Sequence, residues 1–345
     1  MKMGWTSTTL GEAFEMYQPH TLAKSEMDSS GTYKVYGANG IIGTHNEFNH
    51  ESPQVLITCR GATCGTINVS EAKSWINGNA MVVKPKNDNV DIGFLKHLLI
   101  CGVDLNIAIT GAAQPQITRQ SLSPIRITLP PITEQKRIAQ LLDTVDRIFR
   151  LRESAIAKLD ALAQSVFVKR MSELCCSEKL LNEIAEMYQP KTISANELIP
   201  NGKYVVYGAN GIIGRYDKFN HEEDEVLVTC RGATCGTVNR SEAFSWITGN
   251  AMVVKPLKDI ATKDFLQYYF KFMADFSSVI TGAAQPQITR QTLSRLYVAL
   301  PNLDQQHGIT KIVKEIYAKH ELMNFSQIKL KTLTHSLQHQ LFAVN

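Results

Sequence analysis

The sequence predicts an α+β fold that occurs twice, as two tandem α+β domains separated by two long helices packed as an antiparallel coiled coil, with internal pseudo-twofold symmetry. The first observation is a repeat at a constant offset of 171 residues. The repeated pairs are Tyr36–Gly43 with Tyr207–Gly214, Thr58–Thr66 with Thr229–Thr237, and Thr110–Gln120 with Thr281–Gln291. A constant offset indicates duplication of one ancestral unit, which favours approximate twofold symmetry.

The second observation is a strand pattern in each repeat. Short β-branched runs alternate with glycine and asparagine turns, which is typical of strands joined by tight connections. These runs cover residues 31–36, 54–59, 64–69 and 80–84, and again 202–207, 225–230, 235–240 and 251–255. Apolar spacing then predicts one helix per domain, at Asp91–Cys101 and Thr262–Phe276.

The third observation is coiled-coil spacing after each domain. Proline ends the extended chain at Pro131 and Pro301, and Thr133 and Asp304 follow as candidate N-caps. Apolar residues then recur in steps of three and four. The two seams are Ile138, Leu141, Val145, Ile148, Ala155, Leu159, Leu162 and Val166, and Ile309, Ile312, Ile316, Met323, Leu330, Leu333, Leu337 and Leu341. Their polar interruptions are Arg152, Lys319 and Ser326.

Composition excludes several classes of protein. At 345 residues, with 44% hydrophobic and 20% charged residues, the chain can bury two ordinary cores and is not disordered. It lacks an apolar run of membrane-spanning length, and Met1–Ser7 does not resemble a signal peptide, so we expect a cytoplasmic protein without a membrane partner. The net charge of +4 permits a polyanionic partner without requiring one.

The seven cysteines are an odd set in a chain without an export signal, which argues against a disulfide framework. Cys59 and Cys64 recur as Cys230 and Cys235, with spacing unlike a zinc site, so we expect no metal. A thiol-dependent enzyme using Cys59 or Cys64 remains an alternative. The glycine-rich Gly37–Gly43 has the wrong spacing for a nucleotide loop, so we expect no cofactor.

Two segments carry a resemblance to a known family. Thr110–Leu122 followed by Leu129–Asp143 resembles the junction between target recognition domain and conserved helix in specificity subunits of Type I restriction-modification enzymes. Ile57–Gly65 is similar to that family's strand-turn-strand segment, and the order of domain, helix, domain and helix covers essentially the whole chain. The resemblance implies target recognition domains at 1–130 and 175–301 and spacer helices at 131–174 and 302–345.

The same resemblance implies a non-catalytic subunit that binds double-stranded DNA while partner subunits modify and cut it. We expect methyltransferase subunits, two per chain, as partners. Whether the further partners are restriction subunits or a fused methyltransferase–nuclease, as in Type IIB-like systems, is left open. The chain contains neither the Asn/Asp-Pro-Pro motif of amino-methyltransferases nor a phosphate-binding loop, in agreement with that division of labour.

Candidate DNA contacts are donors in the repeated segments. A guanidinium could read guanine or hold a phosphate, asparagine could pair with adenine, and glutamine is expected to orient the backbone or hold phosphate rather than read bases. For each, a local structural role is the alternative. The candidates are Arg60 and Arg231, Asn39 and Asn210, Gln114, Gln116, Gln285 and Gln287, with Lys84, Lys255, Arg119 and Arg290 as phosphate contacts.

The two domains are unusually alike, since 41 of 55 residues are identical between 31–85 and 202–256. Like domains predict like half-sites, and therefore a near-palindromic, interrupted DNA site. Apolar residues beyond the helical seam, Leu142, Phe149 and Ile156, are candidate methyltransferase contacts, unless they pack on the domains instead. A symmetric scaffold that does not bind DNA is the remaining alternative.

Overall fold

Every strand of the first repeat has a counterpart 171 residues later in the computed structural model, which describes residues 4–37, 39–282 and 284–342. The chain divides into two units, Met1–Glu153 with Phe325–Asn345, and Ser154–Asn324. The predicted domain boundaries at residues 1 and 345 lie outside the described residues. No helix in the described part of the chain is both long and apolar enough to traverse a bilayer.

The described residues of unit 1 form three small sheets. Its strands are β1 Thr6–Thr9, β2 Phe14–Tyr17, β3 Tyr33–Gly37, β4 Gly40–His45, β5 Val55–Thr58, β6 Ile67–Val69, β7 Trp75–Ile76, β8 Ala80–Pro85 and β9 Arg126–Leu129. The sheet orders are β2-β8-β5-β6, β4-β3-β7 and β1-β9. Only the short β3–β7 pairing is parallel among these strands. The predicted runs at 31–36, 54–59, 64–69 and 80–84 are thus confirmed with boundary shifts of up to three residues.

Unit 2 repeats this arrangement. Its strands are β10 Ser177–Leu180, β11 Ala185–Tyr188, β12 Tyr204–Gly208, β13 Gly211–Tyr216, β14 Val226–Thr229, β15 Val238–Arg240, β16 Trp246–Ile247, β17 Ala251–Pro256 and β18 Tyr297–Leu300. The sheet orders are β11-β17-β14-β15, β13-β12-β16 and β10-β18. The β1–β9 and β10–β18 pairs were not predicted, because each joins strands more than 100 residues apart.

The helices are α1 Leu10–Ala13, α2 Ile92–His97, α3 Arg119–Leu122, α4 Ile132–Ser172, α5 Leu181–Ile184, α6 Lys263–Phe272, α7 Arg290–Leu293 and α8 Leu303–Phe342. Leu98–Gly102 continues α2 as a π-helix, and short 3-10 turns lie at Lys24–Glu26, Leu105–Ala108, Ala195–Glu197 and Phe276–Ser278. The helix predicted to reach Phe276 ends at Phe272, because Asp275 accepts a hydrogen bond from Ser277 and starts a separate turn.

The core of each unit lies on both faces of its four-stranded sheet. All four residues of β5 are buried, since β5 is an inner strand covered on both sides. Val55 and Ile57 pack with Phe14 and Phe94, whereas Leu56 belongs to the cluster around Tyr36 on the opposite face. Continuous burial explains why this strand is apolar at successive positions rather than alternating.

A buried glutamine anchors each long helix to its domain. The Gln135 side chain accepts a hydrogen bond from Asp91 N at 2.9 Å and donates to Asn89 O and Pro130 O at 2.9 and 2.8 Å. Gln306 repeats these contacts in unit 2. The predicted N-caps are wrong, because α4 and α8 begin one residue before Thr133 and Asp304. Asn302 caps α8 instead, accepting from Gln305 N at 2.9 Å.

Within each unit the segments of α4 and α8 run antiparallel, as predicted. In unit 1 the end of α8 joins the core around the start of α4, and Arg152 Nη1 donates to Ser326 Oγ at 2.7 Å, so two predicted polar interruptions pair with each other. In unit 2 Asp160 faces His320 at 3.4 Å. The predicted seam is wrong at Leu162 and Leu333, whose side chains are 48% and 67% exposed instead of packed between the helices.

Aromatic packing explains the shifted seam in unit 2. Phe167 and Ala163, four residues apart, are fully buried in place of Leu162. The Phe167 ring lies 6.0 Å from Phe265 and 5.7 Å from Phe272. The helix therefore directs one stripe into the domain core, and strict coiled-coil spacing gives way there to domain packing.

The two junctions between domain and long helix differ chemically. In unit 1 the buried His97 donates from Nε2 to Asp143 Oδ1 at 2.9 Å, and Lys96 Nζ lies 2.5 Å from the same oxygen. In unit 2 the equivalent contact is a stack of Tyr268 on Tyr317, with ring centroids 5.8 Å apart. The 171-residue offset is kept at these interfaces, because Tyr268 and Tyr317 stand where unit 1 has His97 and Asp146, but the residue types are not repeated.

Candidate nucleic-acid interface

A tight turn after β5 exposes the first candidate arginine. Gly65 N donates to Thr58 O at 2.9 Å and Cys64 N donates to Gly61 O at 3.0 Å, which closes residues 58–65 into a compact loop. Gly61 and Gly65 have φ values of +87° and +89°, in the left-handed region that favours glycine. Cys59 lies buried beneath the turn, and Arg60 projects into solvent.

The glutamine-rich loop docks against this turn. Ile117 N donates to Cys59 O at 2.9 Å and Gly61 N donates to Pro115 O at 3.1 Å. Thr110 and Gln116 exchange two backbone hydrogen bonds of 2.9 Å, which closes the loop on itself. The backbone of Gln116 is thus fully paired while its side chain is exposed, and the Gln114 side chain is exposed in the same loop.

A third loop joins through a side chain. Thr63 Oγ1 donates to Asn39 Oδ1 at 2.6 Å, so the connection between β3 and β4 is held against the arginine turn. Asn39 is exposed, and its amide donors are directed away from this bond. We call the side chains of Asn39, Arg60, Thr63, Gln114 and Gln116 the recognition cluster of unit 1.

Unit 2 builds an equivalent recognition cluster from Asn210, Arg231, Thr234, Gln285 and Gln287. Its loops have the same backbone bonds: Ile288 N to Cys230 O at 2.9 Å, Gly232 N to Pro286 O at 3.1 Å, and two Thr281–Gln287 bonds at 2.9 Å. The contact of the asparagine differs between the units. Asn210 Oδ1 accepts from the Thr229 hydroxyl at 3.4 Å, whereas Asn39 Oδ1 accepts from Thr63. The duplicated residues thus fold into duplicated geometry.

The electrostatics of the two clusters favour an anionic ligand. The three repeated segments of each unit contain two arginines and no aspartate or glutamate at residues 36–43, 58–66 and 110–120 and their counterparts. Arg60 and Arg231 form no salt bridge with any residue that the structure describes. Their guanidinium groups are therefore available to a phosphate or a base edge.

The candidate lysines lie apart from the clusters. Lys84 is exposed near the end of β8, four residues and therefore about 13 Å from Ala80, which pairs with Thr58 at the arginine turn. Lys255 occupies the same place in β17. Arg119 and Arg290 are nearer, since each is the exposed first residue of a short helix three residues after Gln116 or Gln287. The structure thus groups the asparagine, arginine and glutamine candidates and separates the lysines.

The repeated cysteines are poorly suited to nucleophilic chemistry. Burial raises the pKa of Cys59 to about 11 and that of Cys230 to about 11. A thiol with such a pKa is protonated near neutral pH and is a weak nucleophile. The pKa values of Cys64 and Cys235 are also raised by burial. These cysteines pack beneath the arginine turns, which disfavours the thiol-enzyme alternative.

One predicted partner contact is wrong. Leu142 is only 1% exposed and packs in the core of unit 1, because the helix α2 and the domain cover this face of α4. Phe149 and Ile156 are half-buried. Exposed apolar residues on α8 were missed as partner contacts, because Phe325 and Ile328 lie between seam positions and Leu333 was assigned to the seam itself. In unit 1 these are Phe325, Ile328 and Leu333, between 58% and 67% exposed.

The isoleucines Ile41 and Ile42, which directly follow Asn39 and Gly40, were not among the predicted site residues. They are 55% and 48% exposed, and their counterparts Ile212 and Ile213 are 62% and 49% exposed. An apolar pair in a strand is usually assigned to the core, so sequence patterning gave no reason to place them in solvent. Their repetition at both sites was the available signal.

Comparison with known proteins agrees with this architecture. The model of the Type I restriction modification DNA specificity domain matches residues 2–161 and again residues 177–332. The chain therefore belongs to this family, with two tandem specificity domains. It is 24% identical over 324 residues to the Type I restriction enzyme MjaVIII specificity subunit of Methanocaldococcus jannaschii, covering 79% of this chain and 74% of that protein.

Solved structures show the same fold over the whole chain. The Type I restriction-modification S subunit from M. genitalium superposes with a TM-score of 0.72 at 17% identity, covering 100% of this chain and 97% of that one. A second structure, described as the basis of complex assembly and conformational transition of the type I R-M system, gives a TM-score of 0.57 at 16% identity, covering 99% and 98%. The predicted fold class is confirmed.

Proposed function

We propose that this chain is the non-catalytic subunit that gives a restriction-modification complex its DNA sequence specificity. Each unit reads one half of a bipartite site in double-stranded DNA, in the cytoplasm where that DNA lies. The observation that supports this most strongly is the pair of recognition clusters, which present the same exposed donors on the same backbone frame and carry arginine without any acidic neighbour in the repeated segments.

The proposed roles follow from donor geometry. Arg60 and Arg231 contact guanine or a phosphate, because a planar guanidinium can donate two parallel hydrogen bonds to either. Asn39 and Asn210 use their amide groups on adenine or a neighbouring backbone oxygen. The glutamines Gln114, Gln116, Gln285 and Gln287 orient the backbone or hold phosphate. The outlying cations Lys84, Lys255, Arg119 and Arg290 add contacts to phosphates that position the domain.

We propose a near-palindromic site interrupted by bases that neither domain reads. Recognition clusters built from the same residue types would read nearly identical half-sites, and none of the differences between residues 31–85 and 202–256 falls within residues 36–43 or 58–66. Arg215, which replaces Thr44, does not extend the cluster, because its guanidinium donates to Gly202 O and Lys203 O at 2.6 and 2.8 Å. The Arg215 side chain thus makes contacts inside its own domain.

The proposed partners are methyltransferase subunits, two per chain, that dock on the long helices. The relevant apolar residues of unit 1 are Phe149 and the exposed Phe325, Ile328 and Leu333, and the half-buried Ile156 is the candidate in unit 2. The related structure described as a type I R-M complex assembly supports such an association. Restriction subunits or a fused methyltransferase–nuclease complete the system, and the choice between them depends on the partner rather than on this chain.

The function is tested by methylome sequencing of a host with and without this chain and its methyltransferase partner. We expect an interrupted, near-palindromic methylated motif that requires both. A duplex carrying that motif then serves as the probe for the purified full chain. Binding should weaken steeply with salt, because release of counterions from neutralised phosphates drives nonspecific affinity. A scaffold that does not bind DNA would give neither the motif nor the salt dependence.

Paired substitutions test the clusters. Arg60→Ala with Arg231→Ala should remove about 1–3 kcal/mol of base discrimination per half-site if the arginines read guanine. If they hold phosphate, the slope of log affinity against log salt should instead fall by about 1.8, for two lost phosphate contacts. Arg126→Ala is the matched control, because Arg126 is exposed on β9 and outside the cluster. Equal behaviour of control and double variant would refute the assignment.

A further inference from the structure

Each unit ends its β-hairpin in an exposed pair of isoleucines. We call Ile41 and Ile42 the isoleucine tip of unit 1, and Ile212 and Ile213 that of unit 2. All four side chains are about half exposed or more. Burying apolar surface is favourable, so a repeated exposed pair leaves a favourable contact unmade in the free protein.

Glycines hold each tip in a defined, thin conformation. A Cβ atom on Gly37 would lie 2.8 Å from Ile42 Cγ2, and one on Gly208 would lie 2.6 Å from Ile213 Cγ2. The second isoleucine therefore lies across a glycine that any other residue would obstruct. Gly40 has φ +110° with no heavy atom within 4 Å of its ideal Cβ position. No side chain therefore shields Ile41 and Ile42 at Gly37 or Gly40.

The isoleucine tip of unit 1 is continuous with its recognition cluster. Asn39 precedes Gly40 and Ile41 and is held to the arginine turn by the 2.6 Å bond from Thr63. The hairpin register pairs Tyr36 with Ile41 and Gly37 with Gly40, so the loop and the tip form one structural piece. Any ligand that contacts both Asn39 and Arg60 would pass beside the tip.

From this placement we propose that the isoleucine tips act as apolar wedges against base steps of duplex DNA, bending the helix at each half-site. This inference rests on the proposed DNA-binding function and adds a mode of contact to it. Isoleucine is among the side chains that partly unstack base steps in minor-groove proteins, and such insertion bends DNA by about 20–90°. Bending would also add indirect readout at bases that no side chain contacts.

Charge around the tip favours DNA over a protein partner as its occupant. Residues 36–45 and 207–216 contain no acidic side chain, and the turns beside the tips carry Arg60 and Arg231. The carboxylate of Asp28 lies at the opposite end of the hairpin, where it accepts from Asn46 at 2.8 Å. An apolar tip among exposed cationic and amide donors matches an apolar base step flanked by phosphates. The apolar surface proposed for the methyltransferase lies elsewhere, on the long helices.

The test measures bending and unstacking by the full chain. The duplex carries the motif found by methylome sequencing, with a donor and an acceptor dye at its ends, and a second duplex carries 2-aminopurine within a half-site. We expect the unsubstituted chain to raise energy transfer and 2-aminopurine fluorescence. Replacing all four isoleucines, Ile41, Ile42, Ile212 and Ile213, by serine should abolish both signals and weaken binding by at least about tenfold, with an unchanged salt slope. Val69→Ser is the matched control, an exposed apolar residue on β6.

The outcomes separate the two proposals. If the unsubstituted chain does not bind the duplex, the proposed function fails and the wedge fails with it. If it binds without bending or unstacking, or if the serine variant bends DNA as well as the parent does, the wedge is wrong while the function stands. A serine variant that bends DNA normally but no longer copurifies with the methyltransferase would also overturn it. The 2-aminopurine signal of the parent gives an answer even if the serine variant does not fold.

Discussion

The glutamine-rich loop should depend on the absence of a side chain at Gly111. Gly111 has φ +83°, and a Cβ there would lie 2.6 Å from Gln114 O. An L-residue in the left-handed region costs roughly 1–2 kcal/mol. Relieving the contact to an ordinary 3.4 Å requires the Gln114 backbone to move by some tenths of an ångström. That movement strains the two Thr110–Gln116 bonds, worth about 0.5–1.5 kcal/mol each.

Gly111→Ala should therefore destabilise the loop by about 2–5 kcal/mol. Gly61→Ala is the matched control. Gly61 has φ +87°, close to that of Gly111, but no heavy atom lies within 4 Å of its ideal Cβ position. The control then incurs only the backbone cost, roughly 1–2 kcal/mol. The difference between the two variants isolates the steric contribution of the Gln114 carbonyl.

Hydrogen–deuterium exchange of peptides spanning residues 105–120 is the direct assay, with urea unfolding of the full chain beside it. The amides of Thr110 and Gln116 should exchange about tenfold to a hundredfold faster in Gly111→Ala than in Gly61→Ala, since each 1.4 kcal/mol is a factor of ten. Equal exchange in the two variants would refute the argument that close contact with Gln114 fixes this loop.

Three further predictions concern the two units. Phe167→Ala should lower the free energy of unfolding in urea by about 3–5 kcal/mol, because the ring is fully buried. Leu162→Ala should change it by less than about 0.5 kcal/mol, because Leu162 is exposed. Equal losses in the two variants would show that Leu162 packs in the seam as the sequence predicted. Iodoacetamide at neutral pH should label the exposed Cys175 well before Cys59, whose pKa is raised to about 11, and mass spectrometry would show a reversed order if the buried thiol were reactive. Burial lowers the pKa of His97 below its ordinary 6.5, so the unfolded chain takes up a proton before the folded chain does as the pH falls. The free energy of unfolding should therefore decrease as the pH drops through about 6.5. The urea midpoint of His97→Gln should depend less on pH, and a pH profile equal to that of the parent would contradict the argument.

The sequence predicted the strands that follow local patterning and the long helices, because both signals lie within a few residues of one another. It also identified all the polar members of the recognition clusters except Thr63 and Thr234. Thr63 was missed because its role is a bond across 24 residues to Asn39, which no local pattern encodes. Leu142 was misplaced for the same reason, since periodicity gives the face of a helix but not what covers it.

By itself, the sequence determined the duplication, the α+β class and the residue types available for an anionic partner, because these are written in order along the chain. Only the tertiary structure decided which candidates stand together. Backbone hydrogen bonds between residues 59–61 and 115–117 gather Arg60 and the glutamines, while β8 carries Lys84 away from them. Strand pairing over long sequence separations sets these distances, and such pairing depends on how the whole unit packs.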